Sequence, residues 1–278
     1  MNLEKFNELF GNTRKARDVA VPRLAIQGVT GTDDARRLKA AIVNAGIFLG
    51  NSANYIRLQP NADYSQLFFS TLLNSTLIEW RFRLTSSNNN VNNYEVDALP
   101  LRRIEFNTPR LDRHKQSRKA TDLYGKSRPK GDANEVLNFV EAELQAGRAD
   151  VVHDLLGFLA ERMIEMSEEK RRIARQFVSD LKDFHGIGGG SMNPKTKLHE
   201  FWKLEAADVF AHFRRNKVRI SQSDEEKIRG RFSKAKSVIV PLDSQIAFTD
   251  QLIDQIIYRL YGLTPEEIGI VEDANENR

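Results

Sequence analysis

The chain has 278 residues, 40% of them hydrophobic and 29% charged, with no Cys and a formal net charge of +4. That length can bury one large core or two smaller ones, and two is the expectation. No stretch approaches the roughly 20 apolar residues of a membrane span, and without Cys there is neither a disulfide nor a thiolate metal site, so a cytoplasmic protein without membrane association is expected.

Residues 2–10 carry Leu3, Phe6, Leu9 and Phe10 at helical spacing, a docking or capping helix with no signal-peptide core, and Gly11-Asn12 ends it. Residues 18–29, DVAVPRLAIQGV, alternate apolar and polar positions and read as a strand that Pro22 confines to an edge or a bulge. Two further β-like runs, 41–49 and 53–59, flank Gly50-Asn51-Ser52, and the three form an antiparallel set. Asn61-Ala62-Asp63 leads into a helix over 64–83, in which Leu72, Leu73, Leu77, Ile78 and Trp80 recur at three- and four-residue spacing. The helix gives way to Ser86, Ser87, Asn88, Asn89, Asn90, Asn92 and Asn93, a run unable to build a core but rich in paired donors and acceptors.

Thr108-Pro109 predicts the next helix start, with Thr as N-cap and Pro at the first helical position, and that helix reaches about Tyr124 with few apolar residues. SRPKGD at 127–132 reads as a linker. Beyond it every element is helical: 133–145, a broad apolar helix over 150–166, a helix capped by Ser167 and reaching Phe184, then 205–216, 223–236 and 241–261. GIGGG at 186–190 reads as a hinge. Thr264 and Glu267 have capping-box spacing, and the tail after Asp273 is expected to fray. The fold class is therefore α+β: an N-terminal mixed α/β domain with a small antiparallel sheet over 1–107, a basic helix and linker over 108–131, and an all-helical region over 132–278.

Charge is concentrated. Between residues 102 and 130 there are ten Lys or Arg against three carboxylates, so the rest of the chain is net acidic. A charge run is commonly only a solvated face. Its position beside the Asn-rich loop points instead to phosphate contact, by Lys39, Arg102, Arg103, Arg110, Arg113, Lys115, Arg118 and Lys119. Base edges are read by Arg, Asn and Gln. The residues of those types, with one Thr, gather at Gln27, Thr30, Arg36 and Arg37 and at Asn88, Asn89, Asn90, Asn92 and Asn93, although turn formation alone also explains the Asn run.

Four short motifs occur in one order: Gly50-Asn51-Ser52, Leu72-Leu73-Asn74-Ser75, Ser87-Asn88-Asn89 and Leu99-Pro100-Leu101. In that order they resemble the TaqI-like C-terminal specificity domain of type II restriction-modification enzymes and adenine-specific DNA methyltransferases. Residues 250–272 look like the closing helix of many such enzymes. The resemblance implies a target-recognition module for double-stranded DNA in phage defence, directing an N6-adenine methyltransferase, an endonuclease, or both. It also implies that S-adenosylmethionine, and Mg where cleavage occurs, belong to a partner subunit or to missing upstream domains. No cofactor is expected in this chain.

The residues themselves carry no catalytic constellation. The (N/D)PP(Y/F) loop that holds a flipped adenine is approached only by Asn193-Pro194-Lys195-Thr196, which lacks the second Pro and the aromatic. GIGGG follows a helix rather than a strand and so does not form a methyl-donor turn. Glu168-Glu169-Lys170 has the letters of a nuclease site but reads as a helix first turn. The five His, at 114, 153, 185, 199 and 212, form no close pair at metal-ligand spacing, and His153 beside Asp154 reads as a satisfied core residue. Trp80 and Trp202 read as core or interface. The competing function class is a helical interaction or regulatory module whose basic helix binds an acidic partner.

Overall fold

A computed structural model describes residues 4, 5, 8, 11, 13–59, 63–187 and 196–276. The docking-helix residues Leu3, Phe6, Leu9 and Phe10, Asn12, Asn61-Ala62, Gly188–Gly190 and the Asn193-Pro194-Lys195 string lie outside them. The chain divides into two compact units, unit 1 comprising 1–161 with 250–278 and unit 2 comprising 162–249. The SRPKGD segment lies inside unit 1.

Unit 1 contains the sheet. Helix α1 (Arg14–Val19), capped by the Thr13 hydroxyl accepting from Ala16 N, occupies the start of the stretch whose alternation predicts a strand. The strand itself is β1 (Arg23–Gln27), directly after Pro22. It is the centre of a three-stranded antiparallel sheet, with β2 (Ala40–Val43) on one side and β3 (Ala53–Ile56) on the other. Leu24 and Ile26 project from one face of β1 into a core with Leu38, Leu73, Ile78, Phe82, Val91 and Val96, each contributing about 2 kcal/mol through burial. Both outer strands are shorter than their apolar runs, and β2 stops before Gly46, which adopts φ +83°.

The predicted helix over 64–83 is two helices, α2 (Gln66–Leu73) and α3 (Thr76–Arg83), and the reason lies in the two residues between them. Asn74 turns its amide onto the outer edge of β2, accepting from Ala40 N at 3.0 Å and donating to Ala40 O at 2.8 Å. It thereby satisfies an edge that would otherwise recruit another strand. Ser75 then caps α3, assisted by Asp254, which accepts from Thr76 N at 2.9 Å and from its hydroxyl at 2.5 Å. The motif LLNS thus ends one helix, closes a sheet edge and starts the next helix.

The short helix α4 (Asn93–Asp97) follows the Asn run, and α5 (Arg110–Ser127) carries the basic segment. Its N-cap is Pro109, not Thr108. Both the backbone N and the hydroxyl of Thr108 donate instead to buried Asp150, at 2.9 and 2.6 Å. After α6 (Asn134–Gln145), helix α7 (Ala149–His185) runs without a break through Ser167, the expected cap, whose carbonyl accepts from Arg171 Nε. In the same way α8 (Ala206–Arg215) is followed by one 40-residue helix, α9 (Gln222–Tyr261), with Pro241 inside it rather than at its start. The missing Pro N–H weakens a helix by about 3 kcal/mol, a cost offset by apolar burial on both sides, as at Ile239 and Leu252. Both crossings between units fall inside these long helices.

The closing helix α10 (Pro265–Glu276) starts on the predicted capping box, Thr264 N donating to Glu267 and Glu267 N to the Thr264 hydroxyl, and remains helical past Asp273, where fraying is expected. Unit 2 has its own aromatic core, including Phe177, Phe201, Phe210, Phe213 and Phe232, and Trp202 packs on it beneath the Lys170 ammonium. The architecture is the expected mixture of a small antiparallel sheet near the N-terminus and a helical remainder. Among the described residues no helix is long and apolar enough to cross a membrane.

Candidate nucleic-acid interface

The two segments singled out for base reading, 27–37 and 86–93, lie against each other. Thr30 N donates to Asn89 O at 2.8 Å, Thr32 N to Asn89 Oδ1 at 3.3 Å, and Val91 N to Gly28 O at 2.9 Å, with a bridge pairing Val29 and Asn90. Asn54 Nδ2 adds a bond to Val91 O at 2.7 Å. The joint is clamped by Arg37, which is 2% exposed. Its guanidinium donates to Ser86 O at 3.1 Å and to Asn88 O while lying 5.1 Å from the Phe82 ring centre.

A second clamp comes from α3. Buried Glu79 accepts from Arg37 N at 2.9 Å, from Leu38 N at 2.8 Å and from Arg83 Nε. Arg83 continues outward to Thr32 O at 3.0 Å and Asp34 O at 2.5 Å. A carboxylate with three donors on it is well compensated in a buried setting. Glu79 and Arg83 are positioning residues that sequence reasoning misses. Their signal is an i,i+4 acid–base pair on the apolar side of a helix.

These contacts correct several expectations. Arg37 and Thr30 are buried and face no solvent, so neither reads a base in this fold. Asn92 is drawn into the start of α4, where Glu95 accepts from both its backbone N at 2.9 Å and its Nδ2 at 2.9 Å. Lys39 is paired with Asp34 at 2.7 Å, and that pairing holds the Asp34 carboxyl below its ordinary value. Gln27, Asn88, Asn89, Asn90 and Asn93 are exposed. Gln27 donates to Val29 O, and Asn88 Oδ1 accepts from Asn90 N, both at 2.8 Å. Arg36 is half-buried, with Nη1 buried and without a hydrogen-bond partner. Its charge is felt by Asp250 and Asp254, whose carboxyls burial pushes up. Beside this edge Tyr94 is 68% exposed, an aromatic that sequence reasoning passes over because it stands alone after a polar run.

The basic segment is organised differently. Helix α5 buries a stripe that includes Ala120, Tyr124 and Ser127. Helical periodicity then places Lys115, Arg118 and Lys126 on the opposite side, with Lys119 on one flank of the buried stripe and Arg110 on the other, and all five are exposed, as are Arg102, Arg103 and Lys130. None of these eight forms an ion pair among the described residues, although Lys119 lies 5.4 Å from the Phe139 ring centre. Like Lys39, Arg113 departs from the expected phosphate contacts by pairing with a carboxylate. It makes a bidentate pair with Asp154 and stacks on Phe106 at 4.7 Å, which ties α5 to α7.

His153 completes that tie as a structural residue. Its Nε2 accepts from Ser65 N at 3.0 Å, which places the ring proton on Nδ1, facing Asp154 Oδ1 at 3.0 Å. Tyr64, Phe68 and Phe106 enclose the ring. Burial alone would raise the Asp154 carboxyl, but the hydrogen bonds from His153 and Arg113 outweigh it and hold the carboxyl below its ordinary value. With both nitrogens engaged and no nucleophile beside it, this His holds two segments together.

Residues 152–257 match a domain of unknown function (DUF8810). That stretch contains all of unit 2 together with the adjoining parts of α7 and α9. No curated protein and no solved structure matches the chain.

Proposed function

We propose that the chain is a recognition module for double-stranded DNA, holding phosphates on the outer face of α5 and its flanks and reading bases along the edge formed by Gln27, Arg36 and the Asn88–Asn90 loop. The observation that carries this reading is the set of exposed cations at 102, 103, 110, 115, 118, 119, 126 and 130, none of which has a carboxylate partner among the described residues. Unpaired cations on α5 and its flanks suit counterion release from a phosphate backbone, and a clamped polar edge suits base reading because its donors need no reordering on contact. The resemblance to TaqI-like specificity domains supports the finer reading, in which the module directs an adenine-N6 methyltransferase or a type II endonuclease carried by a partner subunit or upstream domains, with S-adenosylmethionine and Mg bound there.

The test is a titration of the purified chain with a labelled duplex across salt concentrations, followed by selection of a preferred sequence from a random pool. The expected result is a log–log salt slope to which the cations of unit 1 contribute roughly −4 to −5, from about five neutralised phosphates, and an enriched motif. Arg36→Ala should then compress the selected-to-scrambled affinity ratio about tenfold. Equal losses on both duplexes would assign Arg36 to phosphates.

A second reading is favoured by Leu111, which is 86% exposed amid the cations of α5. An apolar anchor within a basic helix suits an acidic protein partner. It expects capture of such a partner, a flat salt response with duplex DNA, and loss of capture on Leu111→Ser.

A further inference from the structure

We infer that the turn joining α8 to α9 in unit 2 is a separate contact surface for the phosphodiester backbone of a double-stranded nucleic acid. This goes beyond the function proposed above, which places DNA contact on unit 1, and it stands or falls separately. Between Asp208 and Asp224 the chain carries Arg214, Arg215, Lys217 and Arg219 and no carboxylate. All four are exposed, and none forms an ion pair among the described residues. The nearest acids on α9 are engaged locally, Asp224 by the Ser221 hydroxyl at 2.7 Å and Glu225 by Arg229 at 2.6 Å. Unit 2 as a whole has more Lys and Arg than Asp and Glu, whereas the rest of the chain has the reverse.

The backbone of this turn gives an independent reason to think that the side chains matter. Helix α8 ends with Lys217 N donating to Arg214 O and Val218 N to Phe213 O, both at 3.0 Å, which requires a left-handed residue at 217. Lys217 has φ 57° and is the sole non-glycine at positive φ among the described residues. Helices α6 and α9 stop with the same pair of bonds, and there the position is held by Gly147 and Gly262. Glycine is the unstrained choice at such a stop, so the Lys carries a cost in strain here, in the middle of three arginines.

Phosphate fits this surface better than protein does. A protein-binding surface centres on buried aromatic or aliphatic anchors, and among residues 205–230 no large apolar side chain is exposed. The apolar members of the turn, Val218 and Ile220, pack inward against the core of unit 2.

The experiment uses the full chain and a labelled 24-base-pair duplex of scrambled sequence, titrated against salt. The variant R214S/R215S/R219S is expected to weaken binding about tenfold or more at about 0.1 M salt and to reduce the log–log slope by roughly 3 × 0.9. Lys217→Gly separates fold from function: it should raise the melting temperature by relieving the strain while weakening duplex binding a few-fold and lowering the slope by about one contact. A turn that serves only as a helix stop would show the raised melting temperature with unchanged affinity, which overturns the inference, as does an unchanged slope in the triple variant. Displacement of the duplex by poly-glutamate at equal charge concentration would also overturn it, in favour of an acidic protein. The α5 variant R110S/K115S/R118S, measured alongside, reports on the unit 1 reading alone. Loss with the turn variant but not with the α5 variant would sustain this surface and reject that one.

Discussion

The arginine of the 27–37 loop and the cations of α5 are the same kinds of residue put to opposite uses. Arg37 points inward, and the two carbonyls it meets are those of the loop it faces, Ser86 and Asn88. Arg110, Lys115 and Arg118 stay exposed and meet no carboxylate among the described residues. Charge on a sequence therefore marks a residue that must be solvated or partnered, and only the fold decides which. A buried cation answers to stability and an exposed one to binding, so substitutions in the two regions should separate cleanly.

The largest effect is expected at Arg37. Removing it leaves the Ser86 and Asn88 carbonyls without their donors and empties the space over Phe82, so Arg37→Ala should cost about 3 kcal/mol in urea denaturation. Lys retains the charge without the fork and should recover less than half of that. Duplex affinity per folded molecule should not change; a specific loss at unchanged stability would return Arg37 to base reading. Glu79→Gln follows, at about 2 kcal/mol, since it weakens charge-assisted bonds from Arg83 and from two backbone N–H groups. Because Glu79 and Arg37 hold the same loop, the double variant should cost less than the sum of the two. Strict additivity would show that the clamps act independently.

Much of this was legible one element at a time. The alternation around Leu24 and Ile26 predicts a strand, the spacing of Val151, Leu155 and Leu159 predicts a buried helix, and Thr264 with Glu267 predicts a capping box. What escaped depends on contacts distant in sequence. Arg36 and Arg37 are neighbours with the same composition cue, yet one is half-buried and the other is enclosed because Glu79, some forty residues on, holds its backbone. Ser167 and Pro241 look like helix starts, but tertiary burial on both sides carries the helix through each. Asn74-Ser75 did carry a local signal, a polar pair with a good N-cap inside an apolar run, and the helical periodicity on either side of it obscured the break.

A smaller effect separates the two faces of α5 itself. Arg113 is the one cation of the expected phosphate set that faces inward from this helix to a carboxylate, Asp154, and that carboxyl is held below its ordinary value. A depressed carboxyl stabilises the fold at pH values above the unfolded group's, about 4, and the contribution disappears as pH falls through the folded value. Asp154→Asn should therefore cost about 1 kcal/mol at pH 7 and make the stability–pH curve shallower below about pH 4. A curve of unchanged shape would mean that His153 alone orders this joint. Arg113→Ser should resemble Asp154→Asn in stability and leave the salt slope of duplex binding where it was.

The smallest stability effect is expected on the outer face, and its smallness is the point. Arg110, Lys115 and Arg118 are exposed and form no ion pair among the described residues, so replacing all three with Ser removes mainly solvated charge. Surface changes of this kind stay within about 0.5 kcal/mol each, and relief of repulsion between neighbouring cations works in the stabilising direction. On the proposed reading the same three positions contribute roughly 0.9 each to the salt slope, so the variant should lose about half of the roughly −5 that unit 1 contributes while melting as before. Arg113→Ser should do the reverse, lowering stability while keeping the slope. If the outer-face variant instead melts lower with its slope intact, those cations hold the fold by contacts absent from this structure, and the division between inward and outward charge fails. If neither stability nor slope moves, α5 presents a solvated face and the DNA reading loses the observation that carries it.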